Sequence, residues 1–166
     1  MRRHGLRVDA VASRDLARAR DFAAEFGIAR AYGDYQALCA APDIDAIYIA
    51  SPHPFHAKQA LLAISHGKHV LVEKAFAMNA RQAQTVLDAA SARGVIALEA
   101  MWVRYLPYMA VIQNWLAEGH IGRVRAVSAD RSTILSTDPT HRVRAIELGG
   151  GAILDVGVYP VAFVQG

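Results

Sequence analysis

Lys74 closes the run His69-Val70-Leu71-Val72-Glu73-Lys74, a short apolar strand that ends on an acid and then a base. In an open α/β sheet, ligands bind beyond the carboxyl ends of the strands, so a lysine there is delivered to a ligand. An amine whose charge is tuned by burial and by a neighbour such as Glu73 can act as a general acid or base. A strand ending in a solvated charge pair fits the same six residues. Asp155 and Tyr159 form a second group. They lie four residues apart on a helix-like stretch and therefore share a face. Gly149-Gly150-Gly151 precedes them, and residues without side chains let the backbone approach a ligand or another element closely. A helix N-terminal aspartate and an amphipathic tyrosine in a domain interface would look alike.

The remaining composition narrows the classes. The chain has 166 residues, 54% hydrophobic and 20% charged, enough for one domain or one domain and part of another. Its net charge of +3 is mild and its basic residues are scattered, which argues against a nucleic-acid surface. A single cysteine, Cys39, excludes a disulfide framework, and no His/Asp/Glu cluster has metal-ligand spacing, so no metal is expected. Met1-Arg2-Arg3-His4 is basic but leads into no apolar segment of a signal peptide, and no apolar run reads as long enough to span a bilayer. A cytoplasmic protein with no membrane partner is the expectation.

The elements that must position Lys74 alternate from Leu6 to Leu98. Strands are expected over Leu6 to Ala12, Ala29 to Tyr32, Asp45 to Ala50, His69 to Lys74 and Val95 to Leu98. The third has a continuous apolar core, as for a strand buried on both faces. Between them run helices from Ser13 as N-cap to Gly27, from Asp34 to Ala41, from Phe55 to Ser65 before Gly67, and from Asn79 to Gly94. The first has Leu16, Ala19, Phe22, Ala23 and Phe26 on one face; the last turns Ala83, Val86, Leu87 and Ala90 inward. This alternation predicts a doubly wound α/β domain with a parallel sheet over residues 1–99. Residues 100–166 read as the start of an incomplete α+β domain. It has a helix from Tyr108 to Glu118, an alternating strand from Gly122 to Ser132 and a final helix-like stretch from Ala152 to Val164.

Four segments together resemble the Gfo/Idh/MocA family of NAD(P)-dependent oxidoreductases. They are Val11-Ala12-Ser13-Arg14-Asp15, Ser51-Pro52-His53-Pro54-Phe55-His56, Val72-Glu73-Lys74, and Gly149-Gly150-Gly151-Ala152-Ile153-Leu154-Asp155-Val156-Gly157-Val158-Tyr159. Glu99-Ala100-Met101-Trp102-Val103-Arg104-Tyr105-Leu106-Pro107 and the tyrosine at 159 resemble the trans-1,2-dihydrobenzene-1,2-diol dehydrogenase and glucose-fructose oxidoreductase-like branch. The resemblance covers nearly the whole chain in family order. It departs in two places. No G-x-G-x-x-G phosphate cradle occurs, and Leu6 to Ala12 aligns with the second strand of the fold, so its first strand and Gly-rich turn are missing. Ala75 stands where the family usually has proline. An internal piece of a longer enzyme, or a start at the wrong methionine, is therefore expected.

The resemblance implies hydride transfer between a nicotinamide cofactor and a secondary alcohol or ketone of a sugar or cyclic diol. It makes Lys74 and Tyr159 the catalytic pair and Asp155 an orienting or substrate-binding group. A phenol works as a base near neutrality only beside a cation, which couples Tyr159 to Lys74. Ser13, Arg14 and Arg18 stand where NAD-specific folds place an acid for the ribose, and a hydroxyl with guanidiniums would instead bind a 2′-phosphate. NADP is thus the expected cofactor, with NAD as an alternative, and a capped, solvated helical turn fits those residues too. Ser51, Pro52, His53, His56, Glu73 and Lys74 would lie along the cofactor, although His56 fits a packing role equally. Trp102, Arg104 and Tyr105 would line the substrate side, with Arg142 and Arg144 as weaker candidates. The family often forms homo-oligomers through its second domain. An inactive fragment that binds cofactor weakly or not at all is the alternative.

Overall fold

The computed structural model describes residues 5–165. The basic run at Met1 to His4 and the terminal Gly166 lie outside the described residues. Strands β1 (Ala10–Ala12), β2 (Arg30–Tyr32), β3 (Ala46–Ile49), β4 (His69–Val72) and β5 (Ala97–Glu99) alternate with four helices. These are α1 (Leu16–Phe26), α2 (Tyr35–Ala40), α3 (His56–Ser65) and α4 (Ala80–Arg93). Helices α5 (Pro107–Ala117) and α6 (Val158–Gln165) follow.

Helix ends follow the capping residues. Asp34 accepts the amides of Gln36 and Ala37 to open α2, and Asn79 Oδ1 accepts the Gln82 amide at 3.0 Å in the first turn of α4. The cap of α1 is Asp15, not the expected Ser13. Asp15 Oδ1 takes the amides of Ala17 at 2.8 Å and Arg18 at 3.4 Å, while Ser13 Oγ takes only the Asp15 amide, at 3.3 Å. With β1 ending at Ala12, the carboxylate is the group in register with the free helix amides, and its charge complements their dipole. Gly27 closes α1 at φ 59°, in the left-handed region where glycine is favoured.

β1 and β2 pair in parallel, with Val11 opposite Ala31, and β3, β4 and β5 form a second sheet in that order. The α/β architecture is the one expected, but in two sheets. β3 is not buried on both faces as its apolar content predicts: Ile49 is buried, while Tyr48 is 43% exposed. Phe22 and Phe26, expected on one face with Ala19 and Ala23, and Leu87, expected inward, are also about half exposed; the two phenyl rings meet tilted, with centroids 4.5 Å apart. The core is built from small and branched side chains instead, among them Ala19, Ala63, Ile64, Val70 and Val86.

The described residues fall into two compact units, one of 5–49, 58–71 and 84–97, the other of 50–57, 72–83 and 98–165. In the first, buried Lys68 donates to the Ala41 carbonyl at 2.7 Å, and burial pushes the Cys39 thiol above its ordinary value. In the second, the strand expected over Gly122 to Ser132 is absent. Val124 and Val127, predicted on opposite faces, are both about half exposed. A lone strand leaves its amides and carbonyls without a ladder, and no partner strand is present there among the described residues. One expectation about membranes also changes: the 20-residue run Ile146–Gln165 is long and apolar enough, by length and composition, to cross a bilayer. It is built in pieces, a 3₁₀ turn, a π-helical turn and α6, with the charged Asp155 buried among them.

Candidate active site

The chain leaves β4 at Val72 and turns through Glu73 and Lys74, with the Glu73 carboxylate accepting the Lys74 amide at 3.2 Å. The peptide that follows, Lys74–Ala75, is cis. Lys74 Nζ donates to Asp155 Oδ1 at 2.9 Å and to the Asp155 backbone carbonyl. That carbonyl is available for a local reason. Asp155 lies in a π-helical turn, Ile153–Gly157, whose bonds run five residues along the chain. The residue five beyond Asp155 is Pro160, which has no N–H to give.

Asp155 is only 5% exposed. Burial raises its carboxyl pKa, but the hydrogen bond and charge of Lys74, with weaker help from Arg142 and His53, more than offset this and hold it below the ordinary carboxylate value. Arg142 Nη1 stands 3.6 Å from the same Oδ1. Tyr159 completes the cluster. Lys74 Nζ lies 5.2 Å from its ring centroid and the Arg131 guanidinium 5.1 Å, both within cation–π range. The Trp102 indole N–H donates to the Tyr159 hydroxyl at 3.4 Å, and the two rings meet edge to face. Lys74, Asp155, Tyr159, Trp102 and Arg142 are therefore brought together.

The other candidates are distributed differently. His53 and His56 are 6% and 0% exposed, and Ser51 and Pro52 are half-buried in the turn before them. Arg104 lines an apolar groove with Glu99, Met101, Ile153 and Val161. Tyr105 is 72% exposed to solvent. Arg144 donates to the Ser136 carbonyl, apart from the cluster. In the other unit, Ser13 is half-buried at the end of β1, with Arg14 and Arg18 exposed at the start of α1. The Asp15 carboxylate beside them is committed to the helix amides. Among the described residues no group of three His, Cys, Asp or Glu could hold a metal.

Two residues that the sequence reading gave no role belong to the site. Glu99 Oε1 accepts the Phe76 amide at 2.9 Å and so holds the segment after Lys74. Arg131 reaches Tyr159 from a stretch with no regular structure, within the run whose alternation predicts a strand. The glycine triplet approaches protein. A Cβ on Gly149 would lie 2.9 Å from His53 Cβ, and one on Gly150 would lie 2.5 Å from the Arg144 carbonyl carbon and 2.8 Å from the Ala145 nitrogen. Backbone cannot swing aside as a side-chain tip can. Gly150→Ala is expected to destabilise the chain by about 2–3 kcal/mol, read as a lowered urea midpoint; an unchanged midpoint would show that the turn has slack.

Residues 1–101 match the oxidoreductase family with an NAD-binding Rossmann fold, and residues 109–166 match the C-terminal domain of GFO/IDH/MocA proteins. The chain is 43% identical over 157 residues to the trans-1,2-dihydrobenzene-1,2-diol dehydrogenase of Xenopus laevis, covering 95% of this chain and 47% of that protein. It is 42% identical over 158 residues to an uncharacterized oxidoreductase of Rhizobium meliloti, again over 47% of that protein. It thus spans about half the length of the curated relatives it matches. Among solved structures it is similar to KijD10, a 3-ketoreductase from Actinomadura kijaniata in complex with NADP and TDP-benzene. The TM-score is 0.83 at 35% identity, over 93% of this chain and 47% of that one. A levoglucosan dehydrogenase in complex with NADH and levoglucosan gives 0.80 at 25% identity, over 95% and 43%. The chain belongs to the Gfo/Idh/MocA family of oxidoreductases.

Proposed function

We propose that this chain carries the acid–base centre of an NADP-dependent oxidoreductase acting on a secondary alcohol, or its ketone, in a sugar or cyclic diol. The observation behind this reading is the Lys74 ammonium, held by Asp155 at 2.9 Å and standing 5.2 Å from the Tyr159 ring. A bound nicotinamide would supply the hydride chemistry at the carbinol carbon. The hydroxyl proton is left to the protein. Lys74 and Tyr159 hold that proton or give it back, and Asp155 keeps the amine aimed. Trp102 orients the phenol and offers an apolar face to a ring-shaped substrate.

The donor set also fits one end of the cofactor. Ser13, Arg14 and Arg18 offer a hydroxyl and two exposed guanidiniums at the end of a strand, which suits a phosphorylated ribose, and Asp15 is engaged in capping. Arg14→Ala should therefore weaken NADPH binding more than NADH binding. No Gly-rich turn is present to cradle a pyrophosphate, and this absence favours a second reading, a chain that binds cofactor weakly and turns nothing over. Fluorescence titration of the purified chain with NADPH separates the two. Saturation in the micromolar range, with NADP reduction on adding a cyclic diol or sugar, supports the enzyme; no saturable binding supports the second reading.

A further inference from the structure

We propose that His56 is a positioning residue for Lys74 and has no direct contact with the cofactor; the inference rests on the acid–base role given to Lys74 above. His56 is fully enclosed, at 0% exposure. Its Nδ1 lies 2.8 Å from the Ala75 carbonyl and its Nε2 lies 2.6 Å from the Ser51 carbonyl. Carbonyls only accept, so the contact with Ala75 is a hydrogen bond when Nδ1 carries hydrogen, and both contacts are hydrogen bonds only when both ring nitrogens do. Both edges of the ring are thus occupied by protein, and no face is left for a ligand.

What the ring holds is the peptide next to the lysine. Ala75 is buried, and its carbonyl belongs to the Ala75–Phe76 peptide, whose amide is held from the other side by Glu99 Oε1 at 2.9 Å. The backbone beyond Lys74 is therefore fixed at both polar groups of one peptide, by a histidine at the start of α3 and a glutamate at the end of β5. A hydrogen bond fixes its partners to a few tenths of an ångström, and a displacement of about 1 Å at a reacting group can cost on the order of a hundredfold in rate. Buried side chains with no slack transmit such displacements. His56 thereby sets where Nζ of Lys74 stands against Asp155 and Tyr159.

The test is a double-mutant cycle between His56 and Lys74. His56→Phe keeps a ring of similar size and removes both ring nitrogens, and with them any hydrogen bond to the Ala75 carbonyl. It should lower kcat about a hundredfold, with KM for NADP unchanged. In a Lys74→Ala background the same substitution should cost less than about twofold, because the residue it positions is gone. His56→Gln, which keeps one donor, should recover part of the turnover, and it carries the same cycle if the phenylalanine variant does not fold. An equal fold-loss with and without Lys74 would overturn the inference, as would a raised KM for NADP at constant kcat. Amide exchange gives a readout independent of turnover. In His56→Phe the Phe76 amide should exchange faster while the amides of α4 stay protected; unchanged protection at Phe76 overturns the inference. A parental chain without turnover would count against the proposed function, and the Phe76 exchange would still decide for or against the positioning role.

Discussion

Lys74→Ala is expected to lower kcat by about 10²–10⁴-fold, the range for removing a positioned general acid or base, while NADPH affinity changes far less. The expectation rests on where the amine stands. It is the charged group that meets Asp155 at hydrogen-bond distance and also lies over Tyr159, so its loss removes the proton donor and one of the two cations beside the phenol. Arg142 cannot replace it. Its guanidinium is 3.6 Å from the same oxygen, and a guanidinium there supplies charge but is no proton carrier. Turnover and NADPH titration on the same preparation separate chemistry from binding. A variant with near-parental kcat would remove Lys74 from the mechanism, and one that lost only affinity would make it a cofactor ligand.

The sequence was legible where a local rule decides the outcome. Asp34, Asn79, Gly27 and Gly67 mark helix ends because capping needs only a few neighbouring residues. Asp15 was missed as a cap because Ser13, Asp15 and the turn between them satisfy the same local pattern, and the strand's true end chooses between them. Burial was less legible. The apolar run of β3 predicts two covered faces, yet covering depends on what packs there, and Tyr48 stays exposed. The alternating run from Gly122 to Ser132 has strand periodicity but no partner, and a strand is a property of a pair. In the site, Lys74 and Asp155 are 81 residues apart. No spacing rule joins them, so only the family resemblance put them in one site. Glu99 and Arg131 act through one hydrogen bond and one ring contact across the fold, and nothing local marks either.

Asp155→Ala should destabilise the chain at neutral pH by about 3 kcal/mol, the lower end of the range for breaking a buried ion pair, and this penalty should fade in acid. The side chains of Lys74 and Asp155 are 15% and 7% exposed, so removing the carboxylate leaves an amine with little water and no counter-ion. The lower end is expected because the amine also keeps the Asp155 backbone carbonyl as an acceptor. The pH dependence follows from the carboxyl's depressed folded-state pKa. In the unfolded chain the group titrates near its ordinary value of about 3.9, and in the folded chain it titrates below that. Its stabilisation is therefore complete above the unfolded value and is lost as pH falls through the folded one. The alanine variant never has this contribution. Urea unfolding of both proteins should show a wide gap at pH 7 that narrows progressively below about pH 4, as the parental carboxylate gains its proton. A gap that stayed constant down to acid pH would mean that Asp155 stabilises the chain by packing, and that its pairing with Lys74 adds little to the fold.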